Sequence, residues 1–433
     1  MFLGGILLTL LSWSIGFPIW IAFVLGGLFL MVFWQGQTLL IFPHIFFQGM
    51  DSYSLLALPF FLLSGQMMIT GGASKALFRW IESFVGHLSG GLAIAAVVAC
   101  MFFGTISGST LATMAAIGSM AIPVMVEKGY DKKYSLGLLC ASGSLGNLIP
   151  PSIFCVLFAS LTGAPIDILF FAGFFPGIIL TIMLSVMAVF VFKWKDTPLL
   201  PPASWSERWK STLNALPALS IPVVILGGIY SGIMTPVEAA ATSVFITIPV
   251  ALFYKSFNIK NTLDAMKKAM VTTSMIYFIL GGTILFINVL TYAEVPQYLI
   301  TVVEKIRLSQ NQLILIMLGL LLVLDLMMEP VPMLFLVFPL TSKVIFSSGI
   351  HWITFNFLLL QYSAVAFITP PLAMALFVMA QMFHARIEDV AKGVLPFLAI
   401  LIVHILLFLI FPEWLLWLPK LVFGSRVDIP VTY

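Results

Sequence analysis

Long apolar runs, separated by short polar segments, follow one another along the whole chain. The runs at 313–324 and 395–411 are typical, because they are continuous rather than alternating and have the length of a helix. A helix that crosses a bilayer needs about 20 mainly apolar residues, whereas a strand of a membrane barrel shows about ten residues of alternating polarity. The pattern therefore predicts an all-α polytopic membrane protein.

Several apolar runs are too short to cross a bilayer as straight helices. They flank interruptions made of Gly, Ser and Pro, which loosen the helical backbone. We therefore expect re-entrant hairpins that turn back inside the membrane. In the first half the runs beside these interruptions lie near 91–103, 108–126, 134–149 and 152–163.

Two amphipathic stretches, 74–87 and 261–269, carry basic residues beside the apolar runs. Such stretches are typical of helices that lie in the membrane interface, so we expect two arms there. Solvated loops are the alternative interpretation.

A double proline interrupts an apolar run in each half of the chain, at Pro150–Pro151 and at Pro370–Pro371. Lipid tolerates such a loosened backbone only where protein buries it or where it lines a cavity. Interrupted helices at matching places in two halves indicate the binding site of a transporter built from repeats. We predict a first repeat at 1–192, a basic interfacial linker rich in Pro and Trp at 193–213, and a second repeat at 214–433.

Composition agrees with this interpretation. Hydrophobic residues make up 61% of the chain and charged residues 9%, whereas soluble domains contain roughly 25% charged residues. The net charge of +3 arises from basic residues in short loops, so binding to nucleic acid is not implied. The first basic residue is Lys75, so we expect the N-terminal run to be a retained span rather than a secretory signal. Cys100, Cys140 and Cys155 lie apart in apolar runs, and we interpret them as packing residues.

The densest polar patch inside an apolar region is the SGST segment at 107–110. Glycine permits non-helical backbone angles, so freed carbonyls and hydroxyls there can hold a hard cation such as sodium with oxygen ligands alone. Helix packing is the alternative, since Gly104 and Gly108 form a GxxxG motif. The polar stretch at 143–147 and the break at Pro150–Pro151 favour the ion site.

Asn147 is the amide beside the first double proline, and it can both donate and accept hydrogen bonds. It either touches the substrate or caps a broken helix end. The region lacks Arg and Lys. A carboxylate would therefore be held by backbone N–H groups, hydroxyls, Asn147 and a neighbouring cation.

The second half carries two carboxylates, Asp325 and Glu329, within its apolar core. Carboxylates inside a membrane are costly and are functional candidates. Glu329 precedes Pro330, where the helix must break, so it is a candidate ion ligand or proton sensor, with a structural pair or helix cap as the alternative. Thr369 supplies a hydroxyl at the second double proline. We interpret Glu238, in the first turn after Pro236, as structural.

The chain resembles the large membrane subunit, called the M or DctM subunit, of the tripartite ATP-independent periplasmic (TRAP) transporters. The resemblance covers nearly the whole chain and depends on the order and spacing of several motifs. They are LPFF (58–61), VGHLSGG (85–91), FGTISGS (103–109), IPPS (149–152), GIYSG (228–232), TPVEAAA (235–241) and ITPP (368–371).

This resemblance implies a sodium-driven secondary transporter of the bacterial inner membrane, built from two inverted repeats with re-entrant hairpins and working by an elevator movement, as in the ion-transporter superfamily. It implies an organic acid as cargo, such as a sialic acid or a C4-dicarboxylate. It also implies two protein partners, a small four-helix membrane subunit of the Q type and a periplasmic substrate-binding protein of the P type. The first Na⁺ site of the family maps onto Ser107, Ser109, Gly146, Ile149 and Pro151.

A second Na⁺ site is implied less directly, in the other repeat, at Glu329, Pro330, Thr369 and Pro370. We expect the substrate near the first break, at Ser107, Gly108, Thr110, Asn147 and Pro150. The chain departs from the family pattern at Asn147 and in the TLATM segment that follows Ser109. Both departures can tune the choice of substrate.

Two other functions are alternatives. A self-sufficient sodium–carboxylate symporter of the same superfamily would need neither protein partner. An intramembrane serine protease would need a Gly-x-Ser-Gly element and a histidine base. Position 105 is Thr, so that element is absent and we expect no enzyme.

Overall fold

The computed structural model describes residues 1–70, 72–193, 200–306, 308–325, 330–370 and 373–429. Within these ranges the chain is helical and has no strands. Six helices are long and apolar enough to cross a membrane, or up to eight if each of two bent helix pairs forms one span. The predicted all-α polytopic membrane fold is confirmed.

The first half contains eleven α-helices among its described residues, all apolar except for the amphipathic α5. They are α1 (Phe2–Ser14), α2 (Ile19–Phe29), α3 (Ile41–Gln48), α4 (Ala57–Thr70), α5 (Ala73–Val85), α6 (Gly91–Ser107), α7 (Thr110–Glu127), α8 (Lys132–Gly143), α9 (Leu145–Leu148), α10 (Ile153–Thr162) and α11 (Ile166–Lys193). A π-helical turn, Leu30–Trp34, extends α2, and a 3-10 turn, Tyr53–Leu56, precedes α4.

The second half repeats the order of a helical hairpin, a broken helix and a long helix. Its helices are α12 (Trp205–Tyr230), α13 (Pro236–Phe253), α14 (Ile259–Tyr292), α15 (Val295–Ile306), α16 (Gln310–Asp325), α17 (Pro330–Ser347), α18 (Trp352–Ile368), α19 (Met374–Met382), α20 (Ile387–Ile410) and α21 (Glu413–Phe423). A 3-10 turn, Gly424–Asp428, follows α21.

The first hairpin, α6–α7, is anchored at the Lys193 end of α11. A Cβ on Gly90, just before α6, would lie 3.2 Å from the Cα of Val189. The backbone N–H of Leu92 donates to the Tyr130 hydroxyl, just after α7, at 3.3 Å. Both ends of the hairpin therefore lie on one face, and its tip at Ser107 lies within the fold.

The second hairpin, α16–α17, is anchored at the opposite end of α11. Gln310 Nε2 donates to the Ser348 carbonyl at 2.6 Å, which joins the two ends of this hairpin. The 3-10 turn Gly424–Asp428 contacts α11 through Arg426, whose Nη2 lies 3.2 Å from Asp167 Oδ2. Since α11 has 28 residues and is about 42 Å long, the two hairpins enter the fold from opposite faces.

The two halves meet tightly where α8 crosses α20. A Cβ on Gly137 of α8 would overlap the backbone of Gly393 of α20, so both positions need glycine. Lys133 Nζ lies 2.9 Å from Asp389 Oδ1 at the same crossing. This contact joins the broken helix of the first repeat to the long helix of the second.

The predicted arm at 74–87 corresponds to the amphipathic helix α5. It packs beside the start of α12, where Ser83 Oγ and Ser211 Oγ lie 2.9 Å apart. Helix α12 begins at Trp205, inside the predicted linker at 193–213, because Ser204 and Glu207 form a capping box there.

The predicted arm at 261–269 is not a separate element. It forms the first turns of the continuous helix α14, since no Gly or Pro separates it from the apolar run that follows. Glu238 has the structural role expected for it, because it forms a capping box with Thr235 at the start of α13.

Candidate functional site

The helix of the first repeat breaks between Leu148 and Ile153. Pro150 and Pro151 have no backbone N–H to continue the helix, and α10 resumes with a bend of 42°. Ser152 caps α10, accepting a hydrogen bond from the Cys155 N–H at 3.4 Å. The break leaves the carboxyl end of α9 and the amino end of α10 side by side within the buried part of the fold.

The tip of the first hairpin is a sharp reversal of the chain. Helix α6 ends at Ser107, Gly108 takes a left-handed conformation with φ of 60°, and the extended Ser109 precedes α7. Ser107 is 2% exposed, and its Oγ lies 2.7 Å from Thr113 Oγ1. The tip therefore presents two buried hydroxyls together with the free carbonyl end of α6.

The hairpin tip and the helix break are in direct contact. The Ile153 N–H donates to the Gly108 carbonyl at 3.3 Å. A Cβ on Gly108 would lie 2.8 Å from the Pro151 carbonyl oxygen, and one on Gly146 would lie 2.6 Å from the Ser109 carbonyl oxygen. The structure thus brings Ser107, Ser109, Gly146 and Pro151 together around one buried point.

The chemistry of this cluster is that of neutral oxygens. Hydroxyl groups of Ser107 and Thr113 adjoin backbone carbonyls, and the carboxyl ends of α6 and α9 add partial negative charge. Within the described ranges, His, Cys, Asp and Glu form no group of three or more that could hold a metal ion. Oxygen ligands of this kind suit a hard monovalent cation rather than a transition metal.

Ile149 contributes an apolar packing contact, unlike the polar residues around it. It follows the last turn of α9 in an extended conformation, and its side chain packs against Gly177 of α11. Gly104 confirms the packing role of the GxxxG motif, because a Cβ there would lie 2.8 Å from the Cα of Gly146. Packing and site geometry therefore depend on the same glycines.

A cavity of about 140 Å³ opens beside the ion-type cluster. Its polar wall consists of Ser109, Thr110 and Asn147, with Thr272 of α14 opposite. Thr110 is 3% exposed, and its Oγ1 has no hydrogen-bond partner within the described structure. A buried hydroxyl without a partner is costly, so this group is suited to a ligand in the cavity.

The cavity wall combines several parts of the fold. The amino ends of α7 and α10 reach it, and α4 of the first half lines it together with α14, Val331 of α17 and Phe367 of α18 from the second half. The described residues that line it carry no charged side chain. Backbone N–H groups at two helix starts can therefore receive an anionic group there.

Not every residue predicted for the substrate lines this cavity. Thr110 and Asn147 line it, whereas Ser107, Gly108 and Pro150 do not. Ser107 and Gly108 belong to the contact between tip and break, and Pro150 lies near Gly173 of α11.

The second predicted ion site is described only in part. Thr369 ends α18, and its hydroxyl donates to the Val365 carbonyl at 2.7 Å. Pro370 follows it, and Pro330 opens α17. Glu329 lies outside the described residues, as does Pro371.

The sequence analysis missed three residues of this region. Thr113 lies one turn into α7, and its contact with Ser107 of α6 depends on the reversal at Gly108, which helical spacing within one segment does not indicate. Ser152 follows the prolines as a capping residue of the preferred type. Thr272 comes from a distant helix, and a threonine in an apolar run gave no signal of its position.

The chain is similar in sequence to several known proteins. The sequence model of a family described as "Tripartite ATP-independent periplasmic transporter, DctM component" matches residues 5–414. The C4-dicarboxylate TRAP transporter large permease protein DctM of Pseudomonas aeruginosa is 38% identical over 86% of this chain and 88% of its own length. The sialic acid TRAP transporter large permease protein SiaM of Vibrio cholerae is 33% identical over 87% of this chain and 88% of its own. The ectoine TRAP transporter large permease protein TeaC of Halomonas elongata is 30% identical over 94% and 96%.

Two solved structures share the fold at low sequence identity. The YdaH transporter of Alcanivorax borkumensis aligns with a TM-score of 0.59 at 14% identity, over 89% of this chain and 88% of its own. MtrF of Neisseria gonorrhoeae aligns with a TM-score of 0.50 at 14% identity, over 90% and 85%. Both likenesses concern the fold alone.

Proposed function

Because the chain belongs to the DctM family of tripartite ATP-independent periplasmic transporters, we propose that it takes up an organic acid across the bacterial inner membrane in symport with sodium. The family consists of transporter permeases and not of enzymes, and the chain is a multi-pass bacterial membrane protein. The contact between the first hairpin tip and the helix break, beside the cavity, is the observation that carries this proposal.

Sodium coupling is supported by the ligands at that contact. The oxygens of Ser107, Ser109 and Thr113 converge there, with Gly146 and Pro151 packed against them. The carboxyl ends of α6 and α9 favour a cation, and no acidic side chain is needed. Glu329, Pro330, Thr369 and Pro370 remain the candidates for a second sodium site.

The cavity supports an anionic cargo. The amino ends of α7 and α10 favour negative charge, and the Thr110 hydroxyl and the Asn147 amide supply side-chain hydrogen bonds. Sodium bound a short distance away would offset the charge of the cargo. Binding of each ion therefore favours binding of the other, which is the thermodynamic basis of symport.

A C4-dicarboxylate is the cargo that we propose first. The relative with 38% identity carries that substrate in its name, and a cavity of about 140 Å³ suits a small anion. Sialic acid and ectoine are named for other relatives, so a sugar acid is the second candidate.

An elevator movement fits the arrangement of the walls. Helices α4 and α14 face the cavity from one side, while both repeats contribute hairpins or broken helices from the other. In the proposed cycle the hairpins and broken helices move with the cargo against α4 and α14. A small four-helix membrane subunit extends the stationary part, and a periplasmic binding protein delivers the cargo.

Uptake into proteoliposomes tests this function. The chain, purified with its small membrane subunit, is given radiolabelled succinate or sialic acid, an inward sodium or potassium gradient, and the binding protein in half of the samples. We expect uptake of succinate only with both sodium and the binding protein. Sodium-driven uptake that is equally fast without the binding protein would contradict the tripartite mechanism and favour a self-sufficient symporter.

A further inference from the structure

A second cavity, of about 180 Å³, lies between the N-terminal helices and the second hairpin. Helices α1, α2 and α14 form one side, and Leu324 and Leu336 of the hairpin form the other. Its wall is apolar, and the single hydroxyl among the lining residues, that of Thr9, donates to the Gly5 carbonyl at 3.0 Å. That hydroxyl is therefore already satisfied and is not available to hold water.

The size and chemistry of this cavity indicate a hydrocarbon ligand. Apolar cavities of about 150 Å³ in proteins stay dry and bind small apolar molecules. An empty apolar cavity also deprives its wall of dispersion contacts. A hydrocarbon segment of matching volume restores these contacts without the cost of burying a polar group.

The cavity is open toward the surface that faces lipid. Leu10 lines it and is 49% exposed, and the outer side of α1 continues with the exposed Leu3, Leu7 and Leu11. Neither α1 nor α2 carries an Asp, Glu, Lys or Arg, and the first such residue of the chain is Asp51. A carboxylate or ammonium head group would have no counter-charge there, so only the tail of a ligand fits.

We propose that this cavity binds a segment of one acyl chain of a bilayer phospholipid, with the head group and the rest of the chain remaining outside. The inference is independent of the transported cargo and goes beyond the proposed function. An acyl chain in this position contacts α1, α2 and α14 on one side and the second hairpin on the other. It therefore contacts two parts of the fold at once.

Photolabelling tests the site. The full chain, with its small membrane subunit, is placed in lipid nanodiscs that contain a phospholipid with a diazirine in the middle of one acyl chain. A parallel sample contains a diazirine fatty acid, which separates the two sources of the same hydrocarbon chemistry. After illumination, labelled residues are mapped by mass spectrometry. The buried residues Ala22, Phe23 and Phe286, which are 0%, 3% and 6% exposed, report entry into the cavity.

We expect the phospholipid probe to label these buried residues as well as the lipid-facing Leu7. The Ala22→Phe variant fills the cavity and should reduce labelling of Phe286 at least fivefold, and Leu336→Ala enlarges the cavity and should increase it. Leu7→Phe, which adds the same ring on the lipid-facing side, is the matched control and should leave Phe286 labelling unchanged.

Labelling restricted to lipid-facing residues would overturn the proposal. Labelling of Phe286 by the fatty acid probe alone would also overturn it. If Ala22→Phe does not fold, Ala22→Leu and Leu336→Ala are made as separate variants. The first narrows the cavity and the second enlarges it, so labelling of Phe286 should change in opposite directions. Equal labelling in these two variants would contradict the assignment.

Discussion

The backbone N–H of Ile153 donates a hydrogen bond of 3.3 Å to the carbonyl oxygen of Gly108. This bond connects the start of α10 to the tip of the first hairpin. The carboxyl ends of α6 and α9 and the amino ends of α7 and α10 lie around it. A cation and an anion can therefore bind within a short distance, each at helix ends of complementary partial charge.

Gly146→Ala should abolish sodium binding at this contact. The added Cβ would lie 2.6 Å from the Ser109 carbonyl oxygen and would overlap Thr113 Oγ1, so the ligands must move apart. We expect sodium-driven uptake to fall at least tenfold, measured in proteoliposomes. Gly227→Ala is the control, because nothing lies within 4 Å of its added Cβ. Uptake at the wild-type rate in Gly146→Ala would show that the contact is not needed.

Thr110→Val should weaken binding of the cargo and leave sodium binding intact. The substitution preserves side-chain shape and removes the buried hydroxyl that has no partner within the described structure. A hydrogen bond is worth about 1 kcal/mol, or roughly a fivefold rise in KM. The measurement is initial uptake against cargo concentration. Thr181→Val removes a hydroxyl that bonds within its own helix at 2.8 Å, and it should leave KM unchanged.

Gly137→Ala should destabilise the crossing of α8 and α20. Its Cβ would overlap backbone atoms of Gly393, which cannot yield as a flexible side chain would. We expect poor expression or a midpoint of thermal unfolding in detergent at least several degrees lower. Gly227→Ala should match or exceed the wild-type midpoint, since alanine favours a helix over glycine. Equal midpoints for the two variants would contradict the tight crossing.

His351 should make stability depend on pH near neutrality. Its Nδ1 accepts the Ile353 N–H at 3.2 Å, and its Nε2 lies 3.1 Å from the Val427 carbonyl, so the neutral ring satisfies both contacts. Burial lowers the pKa of His351 below its usual value, although the nearby Asp428 acts in the opposite direction. Because the folded-state pKa lies below the unfolded value of about 6.5, the neutral ring stabilises the fold above that pH. This stabilisation is lost as the pH falls.

Thermal unfolding across this pH range measures the effect. His351→Asn keeps a capping residue that does not titrate, so its midpoint should fall less than that of the wild type between neutral and mildly acidic pH. His384→Asn, which removes an exposed imidazole elsewhere, is the control. Parallel curves for the wild type and His351→Asn would contradict the assignment.

Many of the helices could be predicted from hydrophobic runs and proline positions in the sequence. The run at 236–253 coincides with α13, because a Thr-Pro start and a capping glutamate mark its beginning in the sequence. The double proline at Pro150–Pro151 marks the break before α10 for the same local reason. Features that one segment determines alone were therefore predictable.

Features that depend on distant segments were not. The amphipathic start of α14 gave the pattern of a separate arm, although the helix continues without interruption. The run at 395–411 gave no sign of the further helix α21, which begins at Glu413. Thr272 reaches the cavity only because α14 packs beside the first repeat. Such contacts arise from tertiary packing, which periodicity in one segment does not report.

The most direct test of the central claim is sodium-dependent thermal stabilisation of the purified complex, with Ser107→Ala and Ser119→Ala compared at constant ionic strength. Ser107 Oγ lies 2.7 Å from Thr113 Oγ1 at the proposed ion site, whereas Ser119 Oγ bonds within α7 to the Ala116 carbonyl at 3.0 Å. Replacing potassium by sodium should raise the unfolding midpoint of the wild type and of Ser119→Ala, because bound sodium stabilises the folded state by mass action. The rise should be lost or strongly reduced in Ser107→Ala. An equal rise in Ser107→Ala would contradict a sodium site at the contact between hairpin tip and helix break.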